Sequence, residues 1–262
     1  MNLISLLFNG QRLRFASRLS LRPIRHGVRA SRRWALGFGL VVPLLALGQT
    51  ITTNTFNFTT NLVVPDGDLR GIAVSCDLSL TGTVTNVTVS LDLVGTGDGG
   101  FNGDMYASLL NSSGGFAVLL NRPGRTVGSD FGYSDNGFDV TFDDSASTDV
   151  HLYQTVPYTL NFDGQLTGTW QPDGRISSPL SVEDTDQQTA MLASFVGLPA
   201  SGTWTLFLAD ASVGATEELV GWSLTIETIP EPSVRGLCLT GLILGAGVGM
   251  MRRNNSRKRV GS

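Results

Sequence analysis

Carboxylates are the side chains of this sequence best placed to do chemistry. Asp98, Asp104, Asp143, Asp144 and Asp210 lie in or beside segments rich in glycine, serine and asparagine, which favour turns. Loop carboxylates, together with carbonyl and amide oxygens, are the ligands that Ca²⁺ prefers. These five aspartates are therefore candidate metal ligands. The simpler interpretation makes them solvated turn residues, and Asp104 and Asp210 could instead cap turns.

Other kinds of catalytic chemistry find little support. Asp143 and Asp144 are adjacent, and adjacent strand residues point to opposite faces, so adjacency alone does not indicate a glycosidase acid–base pair. His151 is the only histidine from Gln49 to Pro230, and that stretch has no Gly-Xaa-Ser-Xaa-Gly motif to supply a nucleophile. We predict that His151 is a surface residue and that the chain has no catalytic residues.

The cysteines and tryptophans are predicted to be structural. Cys76 is the only cysteine of the central stretch and has no cationic neighbour in sequence to activate its thiol, so we expect a small buried core residue. One histidine and one cysteine cannot make a zinc site without carboxylates. Trp204 and Trp222 are expected in the core rather than on a sugar-stacking platform.

Charge divides the 262-residue chain into three parts. Residues 1–48 contain eight arginines and no acid, and residues 231–262 contain five arginines and Lys258 against Glu231. The 182 residues between them carry 21 acids and four arginines, a net charge of −17, and no lysine. Such a body has no basic patch to neutralise phosphates, which argues against nucleic acid as a partner. It favours cations, calcium-bridged polysaccharide or basic proteins.

The body must position these side chains on β-strands. Apolar residues alternate with polar ones over 87–93, 204–208 and 220–226, and in the last run the predicted inward face is Val220, Trp222, Leu224 and Ile226. Further strands are predicted at Thr55–Val64, Ile72–Leu78, Met105–Leu110, Phe116–Leu120 and Phe138–Phe142. Turn clusters separate them, and a single helical turn is expected within Thr189–Phe195. About eight strands without an amphipathic helix predict an all-β sandwich or jelly roll.

The N-terminal part has the features of an export signal. The apolar stretch Trp34–Gly48 follows an arginine-rich lead and ends with the small residues Ala46 and Gly48 before Gln49. We predict a signal peptide at residues 1–48, cut before Gln49 by signal peptidase. Ser31-Arg32-Arg33 resembles part of a twin-arginine signal, although the general secretion machinery is favoured.

The C-terminal part, residues 229–262, resembles a PEP-CTERM sorting signal. It has Pro230-Glu231-Pro232, then the apolar run Gly236–Met251, then Arg252-Arg253 and a basic tail. The resemblance implies transient anchoring in the inner membrane by the apolar helix, processing by an exosortase-type enzyme, and transfer to the cell surface or release. Such systems belong to Gram-negative-type bacteria that make exopolysaccharide. An ordinary tail anchor is the alternative.

The body, residues 49–228, resembles the P domain (P/Homo B domain) of proprotein convertases. The resemblance is carried by Val64-Pro65-Asp66-Gly67, Gly103-Asp104-Met105-Tyr106, Phe142-Asp143-Asp144, Gly202-Thr203-Trp204 to Asp210, and Gly221-Trp222-Ser223-Leu224. It departs from the family at Gly95–Gly103, where a histidine often stands, and at Asn111-Ser112-Ser113-Gly114, where Ser-Pro-Xaa-Gly is usual. The resemblance implies an antiparallel jelly-roll β-sandwich of galactose-binding-like type.

We therefore expect an exported, non-catalytic β-sandwich with a structural or adhesive role in the bacterial envelope or extracellular matrix. The expected partners are the secretion and sorting enzymes, and exopolysaccharide or other envelope proteins. The alternative is a polysaccharide- or protein-binding module assisted by calcium. A more distant alternative is an accessory domain linked to serine-type endopeptidase activity.

Overall fold

The computed structural model describes residues 50–230, and they form two β-sheets that pack as a sandwich. The five-stranded sheet has the order β1-β9-β3-β6-β7 and the four-stranded sheet the order β2-β8-β4-β5. The predicted cleavage site at Ala46, Gly48 and Gln49 lies outside the described residues, as does the predicted sorting tail after Pro230. The strands are β1 Thr52–Val63, β2 Ile72–Leu78, β3 Thr83–Thr96, β4 Met105–Asn111, β5 Phe116–Asn121, β6 Gly137–Phe142, β7 Leu166–Trp170, β8 Gly202–Asp210 and β9 Thr216–Ile229.

Most strands lie where the sequence predicts them. Strand β2 has the predicted limits, and β4, β5 and β6 differ from theirs by one residue at one end. Pairing is antiparallel except between β6 and β7, which run parallel. Strand β7 was not predicted, because Leu166-Thr167-Gly168-Thr169-Trp170 is short and has a glycine at its centre. The predicted helical turn is a 3₁₀ turn at Leu192–Phe195.

A β-bulge in β9 changes which residues of that strand face the core. Asp92 pairs with Gly221 but Leu93 pairs with Leu219, so Val220 is an extra residue in the ladder. The prediction that Val220 shares the inward face with Trp222 is therefore wrong: Leu219 is fully buried and Val220 is only partly buried. A one-residue shift exchanges the two faces of a strand, so it also turns Glu217 into the interior.

The core lies between the two sheets. Its largest fully buried side chains include Trp204, Tyr153, Phe138 and Phe142, and Trp222 is 4% exposed, which confirms that both predicted core tryptophans are buried. Cys76 is half-buried at the edge of this core, and burial raises the pKa of its thiol. Within residues 50–230 no helix is long and apolar enough to cross a membrane.

Candidate functional site

Asp143 and Asp144 bond to nearby main-chain groups rather than to the other candidate ligands. Both carboxylate oxygens of Asp144 accept hydrogen bonds from the start of the 3₁₀ turn at Leu192–Phe195, from Leu192 N–H at 3.1 Å and Ala193 N–H at 2.6 Å. Asp143 accepts the N–H of Ser145 at 2.8 Å in an Asx-turn. Asp98 is exposed in the loop between β3 and β4. Asp144 and Asp143 therefore have local structural roles, as the interpretation of these aspartates as turn residues expects.

Asp104 and Asp210 come together at one end of the sandwich. Asp104 directly precedes β4 and Asp210 ends β8, where the Ala211 N–H donates to the Asp104 carbonyl at 2.8 Å. Two further acids, Glu217 and Asp66, lie at the same end. The main chain links them: the Glu217 carbonyl accepts the N–H of Val64 at 2.9 Å, and Asp66 comes two residues after Val64, in the turn after β1. We call Asp66, Asp104, Asp210 and Glu217 the carboxylate cluster.

Two oxygens in the cluster are buried without a hydrogen-bond partner. Glu217 is 0% exposed; its Oε1 accepts the N–H of Phe101 at 2.6 Å, while its Oε2 has no partner. Asp210 is also 0% exposed; its Oδ1 accepts the N–H of Ser212 at 2.9 Å, while its Oδ2 has no partner. Buried carboxylate oxygens are costly to leave unpaired, and native proteins contain few of them.

The electrostatics of the cluster favour added positive charge or protons. Burial raises the pKa of Glu217 to about 8, and repulsion from Asp210, Asp104 and Asp66 adds to that rise. Burial also raises the pKa of Asp210 to about 6, with repulsion from Asp104 and Asp66 acting in the same direction. Glu217 and Asp210 are therefore both harder to ionise because the other acids are present.

Arg122 is the guanidinium that faces the cluster. Its Nη2 lies 3.3 Å from Asp104 Oδ1, and its Nε donates to the Gly103 carbonyl at 2.8 Å. Burial lowers the pKa of Arg122 and raises the pKa of Asp104. Both pKa shifts favour the neutral form of the side chain, which means that desolvation outweighs the mutual attraction of Arg122 and Asp104.

The sequence interpretation missed Glu217 because the strand pattern assigned it to the wrong face. Counting back from Trp222 by twos places Glu218 inward, and the bulge at Val220 reverses that assignment. The available signal was the glycine at position 221, since a glycine inside an alternating run can indicate a bulge. The nearby loop also leaves room for Glu217: a Cβ at Gly100 would lie 3.1 Å from Glu217 Oε1.

A second buried group of charges surrounds His151, and here the prediction of a surface histidine is wrong. His151 is 0% exposed; its Nδ1 lies 2.7 Å from Asp173 Oδ2 and its Nε2 lies 2.9 Å from the Arg125 carbonyl. Asp173 comes from a loop 22 residues away, a contact that local sequence cannot indicate. A carbonyl only accepts hydrogen bonds, so Nε2 donates to Arg125, and when Asp173 is ionised Nδ1 donates as well, which is the imidazolium form.

Arg175 and Asp149 complete this group, which we call the ion quartet: Asp149, His151, Asp173 and Arg175. Arg175 contacts Asp149 at 3.0 Å and Asp173 at 3.3 Å, and Asp149 accepts the His151 N–H at 2.5 Å. All four side chains are at most 10% exposed. The pKa of His151 is raised: burial alone would lower it, and its bonds to Asp173 and Arg125 outweigh that effect. Two positive and two negative side chains balance one another.

A groove lies beside the edge strand β7. Its volume is about 460 Å³, and hydroxyl groups of Ser147, Thr148, Thr159 and Thr169 line it together with Tyr158 and Trp170. Tyr158 is 38% exposed, whereas Trp170 is 7% exposed and donates its indole N–H to the Thr167 carbonyl. The groove is therefore polar, with one accessible aromatic ring.

Within residues 50–230 there is no group of three or more His, Cys, Asp and Glu side chains that could hold a metal ion. No protein-family model matches the chain, and no curated protein does. The solved structures similar to it include the serine protease of Aeromonas sobria in complex with its chaperone, with 14% identity and a TM-score of 0.38 over 69% of this chain and 27% of that one. The same protease alone gives 13% identity and a TM-score of 0.37, over 68% of this chain and 27% of that chain.

Proposed function

We propose that the chain is an exported, non-catalytic β-sandwich protein with a structural or adhesive role in the bacterial envelope or extracellular matrix. Its body is a P-domain-like jelly roll, antiparallel except for the parallel pair β6–β7. Its tail is a sorting signal of the PEP-CTERM type, on which an exosortase-type enzyme acts after export.

The observation that carries the non-catalytic part is the state of His151. The residue that would serve as general base in a serine-type mechanism is sealed from solvent. Its two ring nitrogens face Asp173 and the Arg125 carbonyl, so neither is available to a hydroxyl nucleophile. A histidine–carboxylate pair is present, but the other ring nitrogen of the histidine contacts a main-chain carbonyl oxygen where a serine protease would have its nucleophile. This supports a structural role for the pair.

The charge of the body supports an adhesive role that uses cations or basic partners. Each of the four arginines in residues 50–230 already pairs with an aspartate, Arg70 with Asp68 and Arg125 with Asp130 among them. The remaining acids leave a strongly anionic surface, which repels other polyanions unless a divalent cation bridges them. Exopolysaccharide bound through calcium, or a basic envelope protein, fits this surface.

Export and sorting are tested by fractionating cells that express the full chain. We expect a mature N-terminus at Gln49 and surface or extracellular material lacking the tail. Replacing Pro230-Glu231-Pro232 with alanines is expected to leave the chain in the inner membrane. The matched control replaces Pro65 and Pro199, two prolines of the body, and should not change the fractionation. Wild-type chain that keeps residues 1–48 and stays in the cytoplasm would overturn the proposal.

A second candidate function is a polysaccharide-binding module assisted by calcium, and the groove beside β7 is the observation that favours it. Threonine hydroxyls and one accessible tyrosine ring suit a sugar, which needs both hydrogen bonds and a stacking face. Binding of the full chain to a glycan array, with and without chelator, tests it. Tyr158→Ala should weaken binding, whereas Phe162→Ala, an exposed aromatic away from the groove, should not. Absence of saturable binding in both conditions would exclude the module.

A further inference from the structure

We propose that the carboxylate cluster binds one Ca²⁺ ion, with Glu217 Oε2 and Asp210 Oδ2 as its buried ligands. The two oxygens belong to different strands, since Asp210 ends β8 and Glu217 lies at the start of β9. The loop that joins these strands, residues 211–215, is therefore the segment that an ion would fix. The proposal goes beyond the proposed function, because an ion can stabilise this end of the sandwich whatever the body adheres to.

The first argument is the hydrogen bonding of these two side chains. Each has one oxygen satisfied by a main-chain N–H, from Phe101 for Glu217 and from Ser212 for Asp210. Those bonds fix the orientation of each carboxylate, and the second oxygen of each is buried without a full hydrogen bond, although the Gly67 N–H near Asp210 lowers the pKa of that carboxylate. A pair of fixed, unpaired, fully buried carboxylate oxygens is the arrangement that a cation completes.

The second argument is the local charge. Four carboxylates interact with one another at this end of the sandwich. Asp104 and Asp66 repel both Asp210 and Glu217. Arg122 offsets one charge through its contact with Asp104. When all four acids are ionised, they carry four negative charges and Arg122 offsets one of them. A divalent cation offsets most of the remaining three.

The third argument is the ligand type, which selects calcium among the common metals. All the donors are oxygens, which excludes the nitrogen- and sulfur-rich sites of zinc. Calcium accepts six to eight oxygens in flexible geometry and regularly takes carbonyls and water, whereas Mg²⁺ demands a near-ideal octahedron. Within residues 50–230 no group of three or more His, Cys, Asp and Glu side chains is arranged to hold a metal ion. The remaining ligands would therefore be loop carbonyls, water and the second oxygen of Asp66, which is exposed in the turn after β1 and whose Oδ1 accepts the Gly214 N–H at 3.0 Å.

Thermal melting of the full chain in chelator and in calcium tests the site. Wild type should melt about 5–10 °C higher when free calcium is about a hundredfold above Kd. Glu217→Gln should weaken calcium affinity by roughly tenfold or more, because ligand charge sets affinity. Glu218→Gln is the matched control: it is the next residue of β9, lies on the opposite face and should respond to calcium like wild type.

Asp66→Asn keeps the test decisive should Glu217→Gln not fold, because Asp66 is exposed and its replacement leaves the core unchanged. It should bind calcium more weakly than wild type and melt like wild type in chelator. A wild-type chain whose melting temperature does not respond to calcium would overturn the proposal. Equal calcium responses in wild type, Glu217→Gln and Asp66→Asn would overturn it as well. Neither result would bear on export or adhesion.

Discussion

The carboxylate cluster, buried except for Asp66, and the ion quartet are two charged groups that differ in charge balance. In the quartet, two acids face an imidazolium and a guanidinium, and each charged side chain has at least one partner of opposite sign. In the cluster, Arg122 contacts one of the four acids, Asp104, and two carboxylate oxygens have no partner. Burial is similar, since the key residues of both groups are almost fully enclosed. The difference lies in compensation, and it indicates that the quartet is complete while the cluster needs an ion or protons.

Removing an acid from the quartet should give the largest effect. Asp173→Asn leaves His151 and Arg175 buried without their shared carboxylate, which should cost about 3–5 kcal/mol of unfolding free energy. Urea denaturation at pH 7 measures it. Asp139→Asn, an exposed aspartate of β6, is the control and should change stability by less than about 0.5 kcal/mol. A loss below about 1 kcal/mol for Asp173→Asn would mean that the quartet does not stabilise the fold.

The equivalent change in the cluster should have a much smaller cost when no calcium is present. Asp210→Asn keeps the oxygen that accepts the Ser212 N–H and removes a charge that its neighbours repel. In chelator its unfolding free energy should stay within about 1 kcal/mol of wild type. In saturating calcium the wild type should gain stability and the variant should not. A loss as large as that of Asp173→Asn in chelator would show that the cluster is already compensated.

These contrasts show how far the sequence could lead. Strands such as β3 and β8 follow from apolar alternation, and Asp104 and Asp210 could be selected as oxygen ligands beside turns. Glu217 could not, because its burial depends on a bulge at Val220 that shifts the register of β9. The quartet could not either, because His151 meets Asp173 only after the loops have folded onto one another.

The titration of His151 offers a pH test of the quartet. Its pKa is raised in the folded protein, so its contribution is fully present below the unfolded value of about 6.5 and is lost as pH rises through the higher folded value. Stability should therefore fall above about pH 6.5 by up to about 1.4 kcal/mol per pH unit until the folded pKa is passed. Urea melts from about pH 6 upward measure this. His151→Gln should make the slope shallower and leave the part due to Glu217, whose pKa of about 8 gives a fall of the same sign. A slope equal to that of wild type would contradict an imidazolium in the quartet.

The exposed ion pair Arg70–Asp68 should have the smallest effect on stability. The comparison tests whether burial, rather than distance, makes the quartet stabilising. Arg70 Nη2 lies 2.6 Å from Asp68 Oδ2, closer than either contact of Arg175 in the quartet. The side chain of Arg70 is 91% exposed, so water and salt screen the attraction. Arg70→Ala should leave the midpoint of urea denaturation unchanged. A clear loss of stability would mean that exposed pairs matter in this domain.

The most direct test of the difference between the two groups is a crystal structure grown in calcium, with the anomalous signal used to locate the ion. We expect one calcium ion within about 2.3–2.6 Å of Glu217 Oε2 and Asp210 Oδ2, and no ion beside His151. The absence of an anomalous peak at the cluster in calcium-grown crystals, with both carboxyl oxygens still unpaired or bonded to water alone, would contradict the account.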